Sequence, residues 1–150
     1  MIELGTFIGY SAVLISSTIG EKSQLTSIDP DMHSIEIAKE LINFAGLDNK
    51  VNLIHGSAEE IIPKLNFNAD FVFIDHAKKK YLSDLLLLES EGIIVKNSVV
   101  FADNVGIFKD EMVEYLDHVR ESGEYLSQNF SSKLEYRNNI YDAVEISIKN

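Results

Sequence analysis

The stretch Phe71-Val72-Phe73-Ile74-Asp75-His76 decides how this chain folds, because four apolar residues end abruptly in an aspartate and a histidine. An unbroken apolar run of this kind is typical of a strand that is covered on both faces. A second run, Val99-Val100-Phe101-Ala102, ends in the same way at Asp103 and Asn104. The two runs predict the central strands of a parallel sheet.

The rest of the chain alternates short apolar runs with longer segments of helical period, which predicts an α/β fold with helices packed on a mostly parallel sheet. The clearest helix spans 31–45, with Asp31 as its N-cap and Gly46 as its stop. Ser57 and Glu60 form a capping box that predicts a short helix, whose regularity Pro63 limits. The other predicted elements are strands over 1–4, 24–29, 51–55, 70–75 and 98–103, helices over 10–19, 81–88 and 110–120, and a terminal antiparallel strand pair over 125–129 and 141–148.

The composition narrows the classes of function. With 150 residues, 45% of them hydrophobic, the chain can bury one core, so we expect a single domain over 1–150. The formal net charge of -11 opposes binding to nucleic acid. The absence of cysteine excludes disulfides and thiolate chemistry. No apolar stretch approaches the ~20 residues of a membrane span and no signal peptide is visible, so we expect a cytoplasmic protein without membrane contact.

The first strand is followed by a glycine turn. Gly5 and Gly9 flank it, Glu3 precedes it, and Asp29 lies at the end of the second strand. Glycines let a ligand approach the backbone, and a strand-end carboxylate can bind a ribose hydroxyl pair, so this arrangement suits an adenosine. The glycine spacing fits neither the dinucleotide pattern nor a Walker motif. The alternative is a turn that needs glycine for steric reasons, beside an acid that flanks a helix.

The two central strands end in side chains that can bind a metal. Asp75, Asp103 and Asn104 offer two carboxylates and one amide oxygen, which suit Mg²⁺. Lys78 follows three residues after Asp75, where a nearby cation and partial desolvation could prepare it as a general base. The alternatives are strand-end capping acids and a solvated lysine run. His76 is the other candidate base, and it is equally compatible with a structural role.

Together these segments resemble the magnesium-dependent catechol O-methyltransferases, which use S-adenosylmethionine. The resemblance covers essentially the whole chain, from residue 1 to 148. The segments that carry it are Glu3-Leu4-Gly5 through Gly9-Tyr10-Ser11, Asn43-Phe44-Ala45-Gly46, Ile61-Ile62-Pro63, Phe73-Ile74-Asp75-His76 with Lys78 and Tyr81-Leu82, Ala102-Asp103-Asn104-Val105, and Leu134-Glu135-Tyr136-Arg137.

The resemblance implies a Rossmann-like class I methyltransferase fold with seven strands, and methyl transfer to one hydroxyl of a catechol chelated by Mg²⁺. The implied cofactor-binding residues are Glu3, Gly5, Gly9, Tyr10, Ser11, Asp29, Gly56, Ala58, Asp75 and His76. The implied metal ligands are Asp75, Asp103 and Asn104. Lys78 matches the base, and Glu135 matches an acid that hydrogen-bonds the second hydroxyl.

The chain departs from the family pattern at three positions and at its start. Ala77 stands where a tryptophan often packs on the adenine, Ala58 replaces a serine, and Phe108 replaces a proline on the substrate wall. The family's N-terminal helical segment is missing, so we expect a truncated domain that is a monomer or a weak homodimer. Two alternatives remain open: a non-catalytic remnant that binds cofactor or metal and acts through a partner, and an O-methyltransferase for a different phenolic acceptor.

Overall fold

The first of two compact units, residues 1–66, alternates strands with helices as predicted. The computed structural model describes residues 1–134 and 137–150. In this unit the strands are β1 (Ile2–Leu4), β2 (Leu25–Asp29) and β3 (Val51–His55). The helices are α1 (Tyr10–Thr18), α2 (Met32–Phe44) and the short α3 (Ala58–Ile61), which continues into a 3-10 turn at Ile62–Lys64.

Strand β2 pairs in parallel with both β1 and β3. Every residue of β2 is buried, as expected for a strand with a neighbour on each side. The predicted helix ends are confirmed. The Asp31 side chain accepts hydrogen bonds from the backbone N–H groups of His33 and Ser34, and Gly46 follows α2 with a φ of 70°. Ser57 and Glu60 form the predicted capping box, because each side chain accepts from the other residue's backbone N–H.

Gly9 has a packing role in addition to its place in the turn. It is the N-cap of α1 and has a φ of 85°, in the left-handed region that favours glycine. A Cβ atom at this position would lie 3.0 Å from the Cβ of Ala38 in α2. The missing side chain therefore lets α1 start directly against α2, and the steric explanation of this glycine has direct structural support.

The second unit, residues 67–150, contains four strands and two helices. The strands are β4 (Phe71–Ile74), β5 (Val99–Ala102), β6 (Tyr125–Leu134) and β7 (Arg137–Lys149). The helices are α4 (Tyr81–Ser90) and α5 (Val113–Glu121), and 3-10 turns at Lys78–Lys80 and Lys109–Glu111 precede them.

Strands β4 and β5 are parallel, whereas β7 is antiparallel to both β5 and β6. The predicted C-terminal antiparallel pair is therefore confirmed. One face of β4 and β5 is buried, with Val72, Ile74 and Val100 fully enclosed. The other face carries half-buried side chains, among them Phe73 and Phe101, whose rings lie 5.5 Å apart. The apolar runs therefore alternate between a buried and a half-buried face.

Four elements of the second unit differ from the sequence prediction by two or more residues at a boundary. Strands β6 and β7 extend through residues that were not predicted as strand, because backbone pairing continues where the side chains are polar and show no alternation. The predicted helix over 110–120 begins only at Val113, since Lys109–Glu111 closes a 3-10 turn first. Helix α4 runs on to Ser90. Among the described residues, no helix is both long and apolar enough to cross a bilayer.

An ion pair connects helix α5 to strand β7. The Arg120 guanidinium donates to both carboxylate oxygens of Glu145, at 2.8 and 2.6 Å. The Glu145 side chain is 1% exposed and that of Arg120 is 40% exposed. Burial alone would raise the pKa of Glu145, but the hydrogen bonds from Arg120 and Asn129 and the charge of Arg120 hold this pKa below its ordinary value.

We expect Gly9→Ala to lower the free energy of unfolding by about 3 kcal/mol, because it adds both backbone strain and a steric clash with Ala38. The matched control is Gly46→Ala. Gly46 has a similar φ of 70° but open space where the Cβ would lie, so only strain of about 1 kcal/mol applies. Urea denaturation of both variants measures the difference, and equal losses would contradict the packing role of Gly9.

We expect Arg120→Met to lower the free energy of unfolding at pH 7 by about 3 kcal/mol, because it leaves the buried Glu145 carboxylate without its cation. In the wild type, a carboxyl whose folded-state pKa is depressed stabilises the fold above its ordinary pKa of 4.5, and that contribution is lost as the pH falls. The difference between variant and wild type should therefore shrink in acid. Urea denaturation at several pH values measures it, with the exposed Lys22→Met as control. A constant difference would contradict the assignment.

Candidate active site

A side chain at the end of β2 fixes the turn between β1 and α1 through hydrogen bonds. Gly5 and Phe7 both have positive φ values, of 104° and 46°. The carboxylate of Asp29 accepts a hydrogen bond from the backbone N–H of Phe7 at 2.9 Å, and its other oxygen accepts from Asp31 N–H at 2.8 Å. Each oxygen keeps a second lone pair for a ligand hydroxyl. Asp29 therefore shapes the turn and still fits the predicted ribose contact.

Glu3 lies beneath this turn. Its side chain is fully buried and accepts a hydrogen bond from the hydroxyl of Ser27, which in turn lies 2.5 Å from the hydroxyl of Thr6. This chain of polar groups joins β1, β2 and the turn through side chains. Neither Ser27 nor Thr6 was predicted as a site residue. Their signal in the sequence was weak, because a small hydroxyl residue in a strand or turn has many ordinary roles.

The other residues predicted to bind the cofactor in this unit differ in exposure. Tyr10 is 71% exposed and Ser11 is half-buried at the start of α1, so both side chains are accessible. Gly56 has a φ of 153°, and a Cβ there would lie 2.8 Å from Ile61, so local packing explains this glycine. Ala58 is buried in the first turn of α3. The structure contains no ligand, and the cofactor roles of these residues stay predictions.

In the second unit, Lys78 brings together side chains from the ends of β4 and β5. Its ammonium donates three hydrogen bonds of 2.8 Å, to Asp75 Oδ1, Asn104 Oδ1 and the hydroxyl of Tyr81. Tyr81 in turn donates to the backbone oxygen of Asp103 at 3.2 Å. Two of the predicted metal ligands, Asp75 and Asn104, therefore meet around the positive charge of Lys78. Tyr81, which belongs to a segment that carries the family resemblance but was given no site role, completes this set.

The electrostatics of this cluster favour a bound cation. Burial raises the pKa of Asp103, and the charges of Asp75 and Asp142 raise it further, against the lowering effect of its hydrogen bond from Asn104 N–H and of Lys78. Three carboxylates, those of Asp75, Asp103 and Asp142, thus affect one another by charge, and Lys78 offsets part of this repulsion at Asp103. Oxygen ligands from two strand ends already surround the Lys78 ammonium, so the donor set fits a hard divalent ion. Such oxygen donors suit Mg²⁺, Ca²⁺ and Mn²⁺, and the choice of Mg²⁺ stays a prediction.

His76 is held by a different partner. Its Nε2 atom lies 2.6 Å from Oδ2 of the buried Asp84, and its ring stacks on that of Tyr81 at 5.3 Å. Within the described part of the chain, the buried Nδ1 atom has no hydrogen-bond partner. Asp84 holds one ring nitrogen and the other is buried, so neither nitrogen is open to a substrate hydroxyl. The structural reading of His76 therefore has the stronger support, and a cofactor contact stays a prediction.

Asp142 belongs to the cluster, although it was not predicted. It is 9% exposed, and Asn104 donates to its carboxylate at 2.9 Å. Burial would raise its pKa, but the hydrogen bonds from Asn104 and from the N–H groups of Ala143, Ile107 and Gly106 hold it below the ordinary value. An aspartate inside a predicted strand, next to an apolar run, was the available signal.

Two of the three positions that depart from the family pattern, Ala77 and Phe108, lie near Lys78. Ala77 is exposed. The ring centroid of Phe108 lies 5.7 Å from the Lys78 ammonium, which gives this cluster an aromatic wall. Glu135, the predicted acid, lies outside the described residues, and its role stays a prediction.

A second group of possible ligands lies elsewhere in this unit. Ligand atoms of Glu89, His118 and Glu124 lie within 4.8 Å of one another. The ammonium of Lys149 donates to Glu89 at 3.2 Å and to Glu124 at 2.5 Å. Tyr125 also donates to Glu89. His118, Tyr125 and Lys149 all hydrogen-bond to Glu89, so we interpret this group as a structural ion-pair network.

Comparison with known proteins agrees with the sequence-based resemblance. The sequence model of a family described as O-methyltransferase matches residues 1–142. The chain is 38% identical over 141 residues to catechol O-methyltransferase of Sus scrofa, which covers 91% of this chain and 75% of the relative. It is 33% identical over 153 residues to catechol O-methyltransferase of Mus musculus, which covers 99% of this chain and 57% of the relative. The chain thus spans between about half and three quarters of these relatives.

Solved structures share the fold at lower sequence identity. The O-methyltransferase TomG from Streptomyces achromogenes, in complex with SAM, superposes with a TM-score of 0.88 at 19% identity, covering 99% of this chain and 72% of that chain. An O-methyltransferase from Bacillus cereus, in complex with SAH, gives a TM-score of 0.87 at 16% identity. The superposition covers 99% of this chain and 73% of that chain. The predicted Rossmann-like fold class, with seven mostly parallel strands and an antiparallel C-terminal pair, is confirmed.

Proposed function

This chain belongs to the O-methyltransferase family, and we propose that it transfers a methyl group from S-adenosylmethionine to one hydroxyl of a catechol or similar vicinal diol chelated by Mg²⁺. The observation that carries the proposal is the convergence of Asp75 and Asn104 on the Lys78 ammonium, each at 2.8 Å. This arrangement combines oxygen ligands for a hard cation with a candidate base. The names of the catechol O-methyltransferase relatives support the choice of acceptor.

We assign a task in this reaction to each of the side chains that surround Lys78. Asp75, Asp103 and Asn104 would hold the cation, which would make the hydroxyl of the bound acceptor more acidic. Lys78 is assigned as the base that takes the proton of the reacting hydroxyl. A divalent ion among the same oxygen atoms would supply the positive charge in its place and favour the uncharged amine that this role requires. Tyr81 positions Lys78, and it keeps its own proton because burial and the charges of Asp75 and Asp103 raise its pKa.

The methyl transfer needs no reactant besides the methyl donor and the acceptor. The acceptor oxygen forms a bond to the methyl carbon as the bond between that carbon and the sulfonium sulfur breaks. The hydroxyl proton passes to Lys78, and the products are the methyl ether and S-adenosylhomocysteine. Residues of the first unit serve the methyl donor. Asp29 is assigned to the ribose, and the turn after β1 to the methionine part. Alignment of oxygen, carbon and sulfur is the main contribution of the protein to such a displacement.

The acceptor pocket is where this chain is expected to differ from its relatives. Phe108 places an aromatic ring near Lys78, and Ala77 leaves the neighbouring position small and exposed. This wall could favour a phenolic acceptor other than a simple catechol. A panel of vicinal diols and monophenols distinguishes the two kinds of acceptor, because a monophenol cannot chelate the cation through two oxygens.

A single domain over 1–150 and a cytoplasmic location are further parts of the proposal.

Methyl transfer should depend on the metal ligands. Purified protein with S-adenosylmethionine, a simple catechol and Mg²⁺ should form a methylated product detectable by mass spectrometry, and excess chelator should abolish it. Asp103→Ala should abolish turnover while calorimetry still detects S-adenosylmethionine binding. The exposed Asp110→Ala is the control and should keep full turnover. Product formation by Asp103→Ala would exclude this metal site, and binding without product in the wild type would favour a non-catalytic remnant.

Lys78→Met should lower kcat by about 10²- to 10⁴-fold, the usual contribution of a positioned general base, with a much smaller effect on KM. The matched control is Lys79→Met, which changes the neighbouring exposed lysine and should leave kcat near the wild-type value. Steady-state kinetics with saturating S-adenosylmethionine measure both parameters. An effect confined to KM would show that Lys78 binds substrate and does not take the proton.

A further inference from the structure

The Asp142 carboxylate divides its two oxygens between different kinds of partner. Oδ1 accepts three backbone hydrogen bonds, from Gly106 and Ile107 at 3.1 Å and from Ala143 at 2.7 Å. Oδ2 accepts a single side-chain hydrogen bond, from Nδ2 of Asn104 at 2.9 Å. One buried side chain thus holds both the backbone of the turn after β5 and the amide of a predicted metal ligand.

The turn itself is built around this carboxylate. Asn104 has a φ of 57°, in the left-handed region. Gly106 lies so close to β7 that an added Cβ would be 2.6 Å from the backbone nitrogen of Ala143. Val105 N–H also donates to the backbone oxygen of Ala143 at 2.9 Å. The backbone of the turn is therefore fixed against β7, which leaves the Asn104 amide one main freedom, rotation about its last side-chain bond.

That rotation decides whether Asn104 can bind a cation. A carboxylate only accepts hydrogen bonds, so the amide atom that faces Asp142 must be the nitrogen. The amide oxygen then points to the opposite side, where it lies 2.8 Å from the Lys78 ammonium. A half-turn of the amide would place its NH₂ group toward the cation position, where it would repel a metal ion.

We propose that Asp142 is a positioning residue that fixes the Asn104 amide with its oxygen toward the metal. The inference rests on the proposed function, because it assumes that Asn104 is a metal ligand. It adds that the orientation of this ligand is set from β7, by a residue that does not touch the metal itself. Residues that orient metal ligands through hydrogen bonds commonly change metal affinity about 10- to 100-fold when they are replaced.

Asp142→Asn exchanges one carboxylate oxygen for an NH₂ group. In Asp142→Asn, the remaining oxygen is required by the three backbone N–H groups, so the new NH₂ group must face Asn104. Two NH₂ groups then oppose each other, and Asn104 has to turn its oxygen away from the cation. We expect the affinity for Mn²⁺, used as the probe ion in calorimetric titrations of the full chain, to fall about 10- to 100-fold. The exposed Asp110→Asn, which removes the same charge, should bind Mn²⁺ as the wild type does.

The double variant Asn104→Asp with Asp142→Asn distinguishes positioning from a general structural role. It exchanges donor and acceptor across the same hydrogen bond and keeps the net charge, so it should restore most of the Mn²⁺ affinity. No restoration, with the fold intact by urea denaturation, would overturn the inference. If Asp142→Asn alone fails to fold, the double variant decides: wild-type-like binding supports the inference, and lost binding overturns it.

A separate variant tests the underlying assumption. Asn104→Ala should weaken Mn²⁺ binding, because it removes a ligand. If it does not, the proposed metal site is wrong. If Asn104→Ala weakens binding but Asp142→Asn does not, the metal site stands and only the positioning role of Asp142 fails.

Discussion

The second unit depends on one electrostatic constraint, which is that the carboxylates gathered at the ends of its strands need a positive charge among them. Asp75 accepts a hydrogen bond from the Lys78 ammonium, while burial and the charges of Asp75 and Asp142 raise the pKa of Asp103. Without a cation, like charges in a partly buried place oppose the fold. The side chain of Lys78 supplies that charge here, and the same oxygen atoms would serve a divalent ion.

This constraint explains why the surrounding groups are so fully hydrogen-bonded. Tyr81 accepts from Lys78 and donates to the Asp103 backbone, while Asp142 holds Asn104 and the turn that follows. Each of these contacts removes a freedom that a ligand-binding side chain would otherwise have. A site organised in this way loses little conformational entropy when a ligand arrives, and preorganisation of this kind underlies both tight binding and efficient group transfer.

In the first unit, the sequence predicted the helix caps but not the reason for the glycine turn. The helix after Asp31 and the capping box at Ser57 were predicted correctly, because both depend on side chains within four residues of one another. The two explanations of the glycine turn could not be separated by sequence alone. Gly9 proved to be required by its approach to Ala38, 29 positions along the chain, and no local pattern records such a distance.

By itself, the sequence determined the alternation of strands and helices, the family, and the residues Asp75, Lys78, Asp103 and Asn104 as candidates, because apolar period and strand-end chemistry are local properties. The tertiary structure decided which of these side chains meet and which atoms face each other. It alone revealed Asp142, since β7 reaches the turn after β5 through pairing between segments about 40 residues apart. Hydrogen bonds across such separations depend on register and backbone direction, which a linear pattern of residues does not contain.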